Sequence, residues 1–199
     1  MSMERPVRVT LFLLCLVPMA VLLYRAFTGG LGPDPAEQIM HVTGEWGARC
    51  LILCLLVTPL RPLVRASWFI KLRRPLGLYA FFYGSVHLVA FGLFFLGWSL
   101  PLLWEELADR PYITVGFLAW LAMLPLAITS TRAMQRRLRR NWRRLHKLVF
   151  PAALFISAHV LWQARSDYGE ALFYIVVFSA LGLWRLKPLL AARRAAGTG

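Results

Sequence analysis

Four long runs without an acidic or basic side chain other than histidine, 9–24, 75–104, 111–131 and 148–164, decide what this chain can fold into. An α-helix needs about 20 apolar residues to cross the ~30 Å hydrocarbon core of a bilayer, and three of the runs reach or nearly reach that length unaided. Two more segments, 46–63 and 168–186, span it if their polar ends snorkel to the interface. The expected spans are therefore about 7–27, 46–63, 75–97, 111–131, 146–164 and 168–186. The apolar runs are continuous rather than alternating, which selects helices over a barrel. The expected fold class is all-α: a six-helix integral membrane bundle forming one domain over residues 1–199. Composition agrees, because a chain 59% hydrophobic and only 16% charged has more apolar surface than one soluble core can bury.

The first span resembles a secretory signal in its basic flank, Arg5 and Arg8, but no small-x-small cleavage site follows. The apolar stretch runs on to Phe27, and it reads as a retained helix. The net charge of +14 invites a nucleic-acid reading, which its distribution excludes. Five Lys/Arg lie in the 61–74 connection, eight in 132–147, four from Arg185 onward and two at the N-terminus. The alternate connections carry only Arg25, Arg49, Arg110 and Arg165, with eight of the nine acidic residues. By the positive-inside rule both termini are expected in the cytoplasm, in a bacterial inner membrane.

The longest outer connection, 28–45, contains Gly29-Gly30-Leu31-Gly32-Pro33-Asp34-Pro35 and reads as an ordered turn. No internal repeat is evident. Cys15, Cys50 and Cys54 fall within helices and read as small packing residues. There is no P-loop and no dinucleotide-binding fingerprint, so electrons handled here must come from a separate protein.

Four histidines carry what chemistry the chain has. His87 lies inside the third span and His159 inside the fifth. Ionisable side chains at that depth are costly; each either ligates a metal or hydrogen-bonds a neighbouring helix. His146 and His159 are 13 residues apart. On a regular helix that is about 20 Å of rise, so the two lie at different depths. Spans three and five run in the same direction, so His87 can sit level with His159 as a bis-histidine haem pair. Deeper toward the cytoplasm, His146 faces Arg73 and Arg74, which serve a second haem as ligand or propionate partner, or are simply positive-inside residues. Arg49 snorkels, pairs with Glu45 or holds a propionate. His41 is expected at the outer surface.

Several segments carry a family resemblance: GGLGPDPAEQIMHVTG at 29–44, LRRPLGLYAFFYGSVHL at 72–88, RPYITVG at 110–116, ITSTRAMQRRLRRNWRRLHKLVF at 128–150 and HVLW at 159–162. The chain resembles the MsrQ (YedZ) family, within the ferric-reductase-like transmembrane group. The resemblance implies b-type haem held by His87, His146 and His159, an association with FMN, and electrons drawn from a cytosolic flavin reductase or quinol. It implies delivery to a periplasmic molybdopterin partner, MsrP, that reduces methionine sulfoxide in oxidised proteins. In the related NADPH oxidases and ferric reductases the third span carries two histidines; the second place here is Arg73. The competing expectations are a stand-alone quinol- or metal-reducing cytochrome, and a scaffold or transporter whose histidines hold no iron.

Overall fold

The computed structural model describes residues 4–164 and 168–196, with side chains described for 5–164 and 168–185. Arg165 and Asp167, counted above on the outer side, lie outside the described residues, as do the side chains of Lys187, Arg193 and Arg194. Helices account for almost all of the described chain, and no strand occurs among the described residues. They are α1 (Glu4–Phe27), α2 (Pro35–Val64), α3 (Arg73–Phe94), α4 (Leu100–Asp109), α5 (Pro111–Ile128), α6 (Arg132–Leu138), α7 (Arg140–Leu145), α8 (Val149–Gln163) and α9 (Gly169–Ala196). Among the described residues, five helical stretches are long and apolar enough to cross a membrane: Arg5–Phe27, Pro35–Val64, Phe69–Phe94, Pro111–Ile128 and Arg140–Gln163.

Helix α2 begins well before residue 46, because the turn residues ahead of it form a helix start. The Asp34 carboxylate accepts from the Glu37 N–H at 2.9 Å, with Pro35 behind it at the first helical position. The resulting 30-residue helix is about 45 Å long, more than the hydrocarbon core requires. The ordered turn is thus confined to the few residues before Asp34. A short amphipathic helix, α4, was not anticipated. Ser99 caps it, and Arg110, held extended ahead of Pro111, separates it from α5.

The fifth span is not one regular helix. A 3-10 turn at His146–Leu148 joins α7 to α8, three residues ahead of Pro151, whose missing N–H leaves the first turn of α8 without one backbone bond. The spacing of one regular helix between His146 and His159 therefore does not apply.

Packing organises these helices into two antiparallel pairs, α2 with α3 and α5 with α8, joined by contacts of α3 with α5. Helix α9 packs on α8 and α2, and α1 packs on α2. Two phenols of α3 bind α1 from the side: Tyr79 donates to the Phe12 carbonyl at 2.9 Å and Tyr83 to the Cys15 carbonyl at 2.7 Å. Both carbonyls lie within two turns of Pro18, which interrupts the α1 hydrogen-bond ladder. Cys15, Cys50 and Cys54 are free thiols buried in the same core, as expected of packing residues.

Candidate functional site

His87 and His159 come together. Their ring centroids are 6.2 Å apart and their planes nearly perpendicular, at 89°. The helices that carry them, α3 and α8, are not among the closely packed pairs. The imidazoles thus reach toward each other across a gap between the two helix pairs.

Each ring is held from behind in the same way. His87 Nδ1 donates to the Met40 carbonyl on α2 at 3.0 Å, and His159 Nδ1 donates to the Tyr112 carbonyl on α5 at 2.7 Å. A carbonyl can only accept, so Nδ1 carries the proton and Nε2 the lone pair. This is the tautomer and orientation that metal-ligating histidines adopt. Buried Thr43 adds a hydroxyl 3.5 Å from His87 Nδ1. Close behind each ring lies a glycine. A Cβ on Gly44 would stand 3.2 Å from His87 Nδ1, and one on Gly116 would stand 2.7 Å from His159 Nδ1.

The spacing suits a shared metal. Two imidazoles bound through Nε2, each nitrogen about 2 Å from the metal with its ring centre about 1 Å behind, have centroids roughly 6 Å apart. The ring separation and the protonation pattern of this pair fit a haem iron, which His87 and His159 would hold.

Toward the other end of α8 the arrangement is less regular. His146 Nδ1 lies 3.1 Å from the Trp142 carbonyl, and its ring stacks on Trp142 with centroids 3.9 Å apart. Arg73 lies near enough for its charge to act on His146. It is half-buried, and its Nε is buried without a hydrogen-bond acceptor. Arg74 is exposed. The sequence reading missed Arg185 of α9, whose guanidinium donates to Thr58 Oγ1 at 3.0 Å and to the Leu55 carbonyl at 3.3 Å, and lies over the Phe150 ring. Its charge and that of Arg73 act on each other.

Arg49 is engaged by Glu45 at 2.6 Å and lies over the Trp46 ring, so the pairing role is the one its geometry shows. His41 is exposed, as expected, with Nδ1 3.0 Å from the other Glu45 oxygen. Glu170 brings a third ligand-type atom close to these two, within 4.8 Å.

Residues 43–157 match the family described as ferric reductase like transmembrane component. A protein of Xanthomonas euvesicatoria is 46% identical over 185 residues, covering 90% of this chain and 85% of its own length. One of Xanthomonas campestris is 48% identical over 164 residues, covering 82% and 75%. One of Cronobacter sakazakii is 39% identical over 183 residues, covering 92% of both. All three are named protein-methionine-sulfoxide reductase heme-binding subunit MsrQ.

This chain belongs to the MsrQ family.

No solved structure matches it. Family membership and five membrane-length apolar helices make it a multi-pass bacterial membrane protein. The family match includes His87, Gly44, Gly116 and Tyr112, but begins three residues after Met40 and stops two residues short of His159.

Proposed function

We propose that this MsrQ-family chain is a haem b electron-transfer subunit that passes electrons across the bacterial inner membrane to a periplasmic molybdopterin methionine-sulfoxide reductase, MsrP. The observation that carries this reading is the His87–His159 pair, 6.2 Å between ring centres with both Nδ1 atoms committed to backbone carbonyls. Haem, when bound, supplies a one-electron redox centre. The protein's part is to hold two Nε2 lone pairs toward a common point and to surround them with low-dielectric helices.

In this reading the chain is one six-span domain, α9 being the sixth span, with both termini cytoplasmic. The Lys/Arg asymmetry between alternate connections supports that orientation. His146 with Arg73 serves a second haem nearer the cytoplasm. Arg74 adds positive charge at that face and Arg49 at the other. Electrons come from a cytosolic flavin reductase, through FMN, or from quinol. The arginines of α6 and α7 offer an acidic or flavin-phosphate-bearing donor a basic docking face. The methionine-sulfoxide substrate belongs to the partner, and this subunit has no substrate chemistry of its own.

The test is the reduced-minus-oxidised visible spectrum of the purified protein with haem per chain quantified. Stoichiometric haem, lost from His87→Ala and His159→Ala alike, is expected. A colourless wild-type protein would overturn the reading in favour of a scaffold or transporter. Haem reduction with no dependence of methionine-sulfoxide repair on a periplasmic partner would favour a stand-alone cytochrome.

A further inference from the structure

The two halves of the histidine site share a register that runs through the chain. Met40, Gly44 and His87 correspond to Tyr112, Gly116 and His159, and each pair is 72 residues apart. The correspondence extends to Ala80 and Ala152, both fully buried, and to Ser85 and Ser157, whose hydroxyls donate back to the carbonyls of Phe81 and Ala153. Each half is a helix bearing a carbonyl at one position and a glycine four residues on, packed antiparallel to a helix bearing Ser-x-His. No sequence repeat is legible beyond these positions, which is why none was expected; the geometry nevertheless repeats.

A carbonyl at position i and the side chain at i+4 occupy the same helix face, one turn apart. The imidazole can reach the carbonyl only by lying where the i+4 side chain would project. Glycine at 44 and 116 leaves that volume free. The tolerance is unequal. A methyl at 116 falls within 2.7–3.3 Å of three atoms of the His159 ring, inside van der Waals contact, so the ring or a helix must shift. At 44 the nearest ring atoms are 3.2 and 3.3 Å away, and a displacement of a few tenths of an ångström suffices.

We propose that Gly44 and Gly116 are positioning residues, the two notches of a twice-repeated socket that sets how the His87 and His159 rings face their shared ligand. This rests on the haem reading above. The substitutions remove no ligand and no hydrogen-bonding side chain. Alanine is also a better helix former than glycine, so loss of the helix itself would not explain an effect.

The experiment compares wild type, Gly116→Ala, Gly44→Ala and Gly182→Ala in the full chain. Gly182 is a helical glycine with no atom within 4 Å of its would-be Cβ, and serves as the control. The readouts are haem per protein, the midpoint potential, and the low-spin ferric electron paramagnetic resonance signal, which responds to the angle between axial imidazole planes. Gly116→Ala is expected to lose the His87/His159 haem or to shift both its resonance and its potential. Gly44→Ala is expected to keep the haem with a smaller shift in the same signal, and Gly182→Ala to match wild type. Should Gly116→Ala not accumulate, the Gly44→Ala shift alone decides. Unaltered resonance and potential in Gly44→Ala, or in a haem-loaded Gly116→Ala, would overturn the positioning role while leaving the haem reading intact. A wild-type protein without haem overturns both.

Discussion

Around His87 and His159, each ring has a carbonyl behind it, a glycine beside it, and an equivalent on the opposite helix pair. Around His146 only a carbonyl recurs, that of Trp142 in its own segment, and no described glycine lies against the ring. Its ring stacks on Trp142 four residues earlier in the same chain segment, and the charge that acts on it from α3 is that of Arg73, which in turn acts on Arg185, rather than a second imidazole. The 72-residue register pairs His146 with Arg74, which is exposed, while the half-buried position next to it belongs to Arg73. One end of the helix bundle is thus a repeated device and the other a single-copy one. A repeated socket holds both faces of one ligand with similar geometry. A lone imidazole beside arginines offers one ligand and positive charge, which suits a propionate or another anion as much as a metal.

The strongest way to break this comparison is to remove ligands. His87→Ala and His159→Ala should each weaken retention of the same haem by more than about tenfold, since even outer-shell partners of metal ligands are worth 10–100-fold. His146→Ala should leave that haem in place. Haem content, read from the visible spectrum of each variant, checks this, and equal loss in all three variants would merge the two regions into one site.

A smaller effect is expected at the arginines. Arg73→Gln keeps a hydrogen-bonding side chain but removes the charge, and should alter the potential or content of only the haem that depends on His146. Redox titration distinguishes the two centres, and an Arg73→Gln protein with both titration waves unmoved would show that Arg73 is a topology residue alone.

Smaller again is the fastening of α1 to α3. Tyr83 is fully buried, and Tyr83→Phe deletes its bond to the Cys15 carbonyl at a cost of about 1 kcal/mol. Thermal unfolding in detergent should fall slightly while the visible spectrum stays as in wild type. The least effect is expected of Arg49→Gln. The Glu45 pair is partly exposed and contributes roughly 0–1 kcal/mol. A change in haem content or potential on that substitution would instead restore the propionate role for Arg49.

Much of the candidate site was legible in the sequence because histidine is rare in apolar helices. His87 and His159 stand out against their surroundings, and parallel traverses of the bilayer allow them to meet. Glycine carries no such signal. Gly44 and Gly116 lie among many glycines, and only the 72-residue coincidence with two histidines could have singled them out. Arg185 was hidden for the opposite reason: among so many cations in the basic connections and tail, nothing in the sequence says which one turns inward to Thr58 and Leu55. The break at His146–Leu148 was foreshadowed by Pro151, but the continuous apolar run masked it.

Apolar run length and charge asymmetry by themselves determined that this is a helical membrane protein, because a bilayer admits few ways to satisfy a backbone. They also selected the histidines. What only the tertiary structure decided is how those histidines are held. A ring's orientation depends on which carbonyl lies behind it and on how much room the next helix leaves. Both are set by contacts between residues 43 to 47 positions apart in the chain.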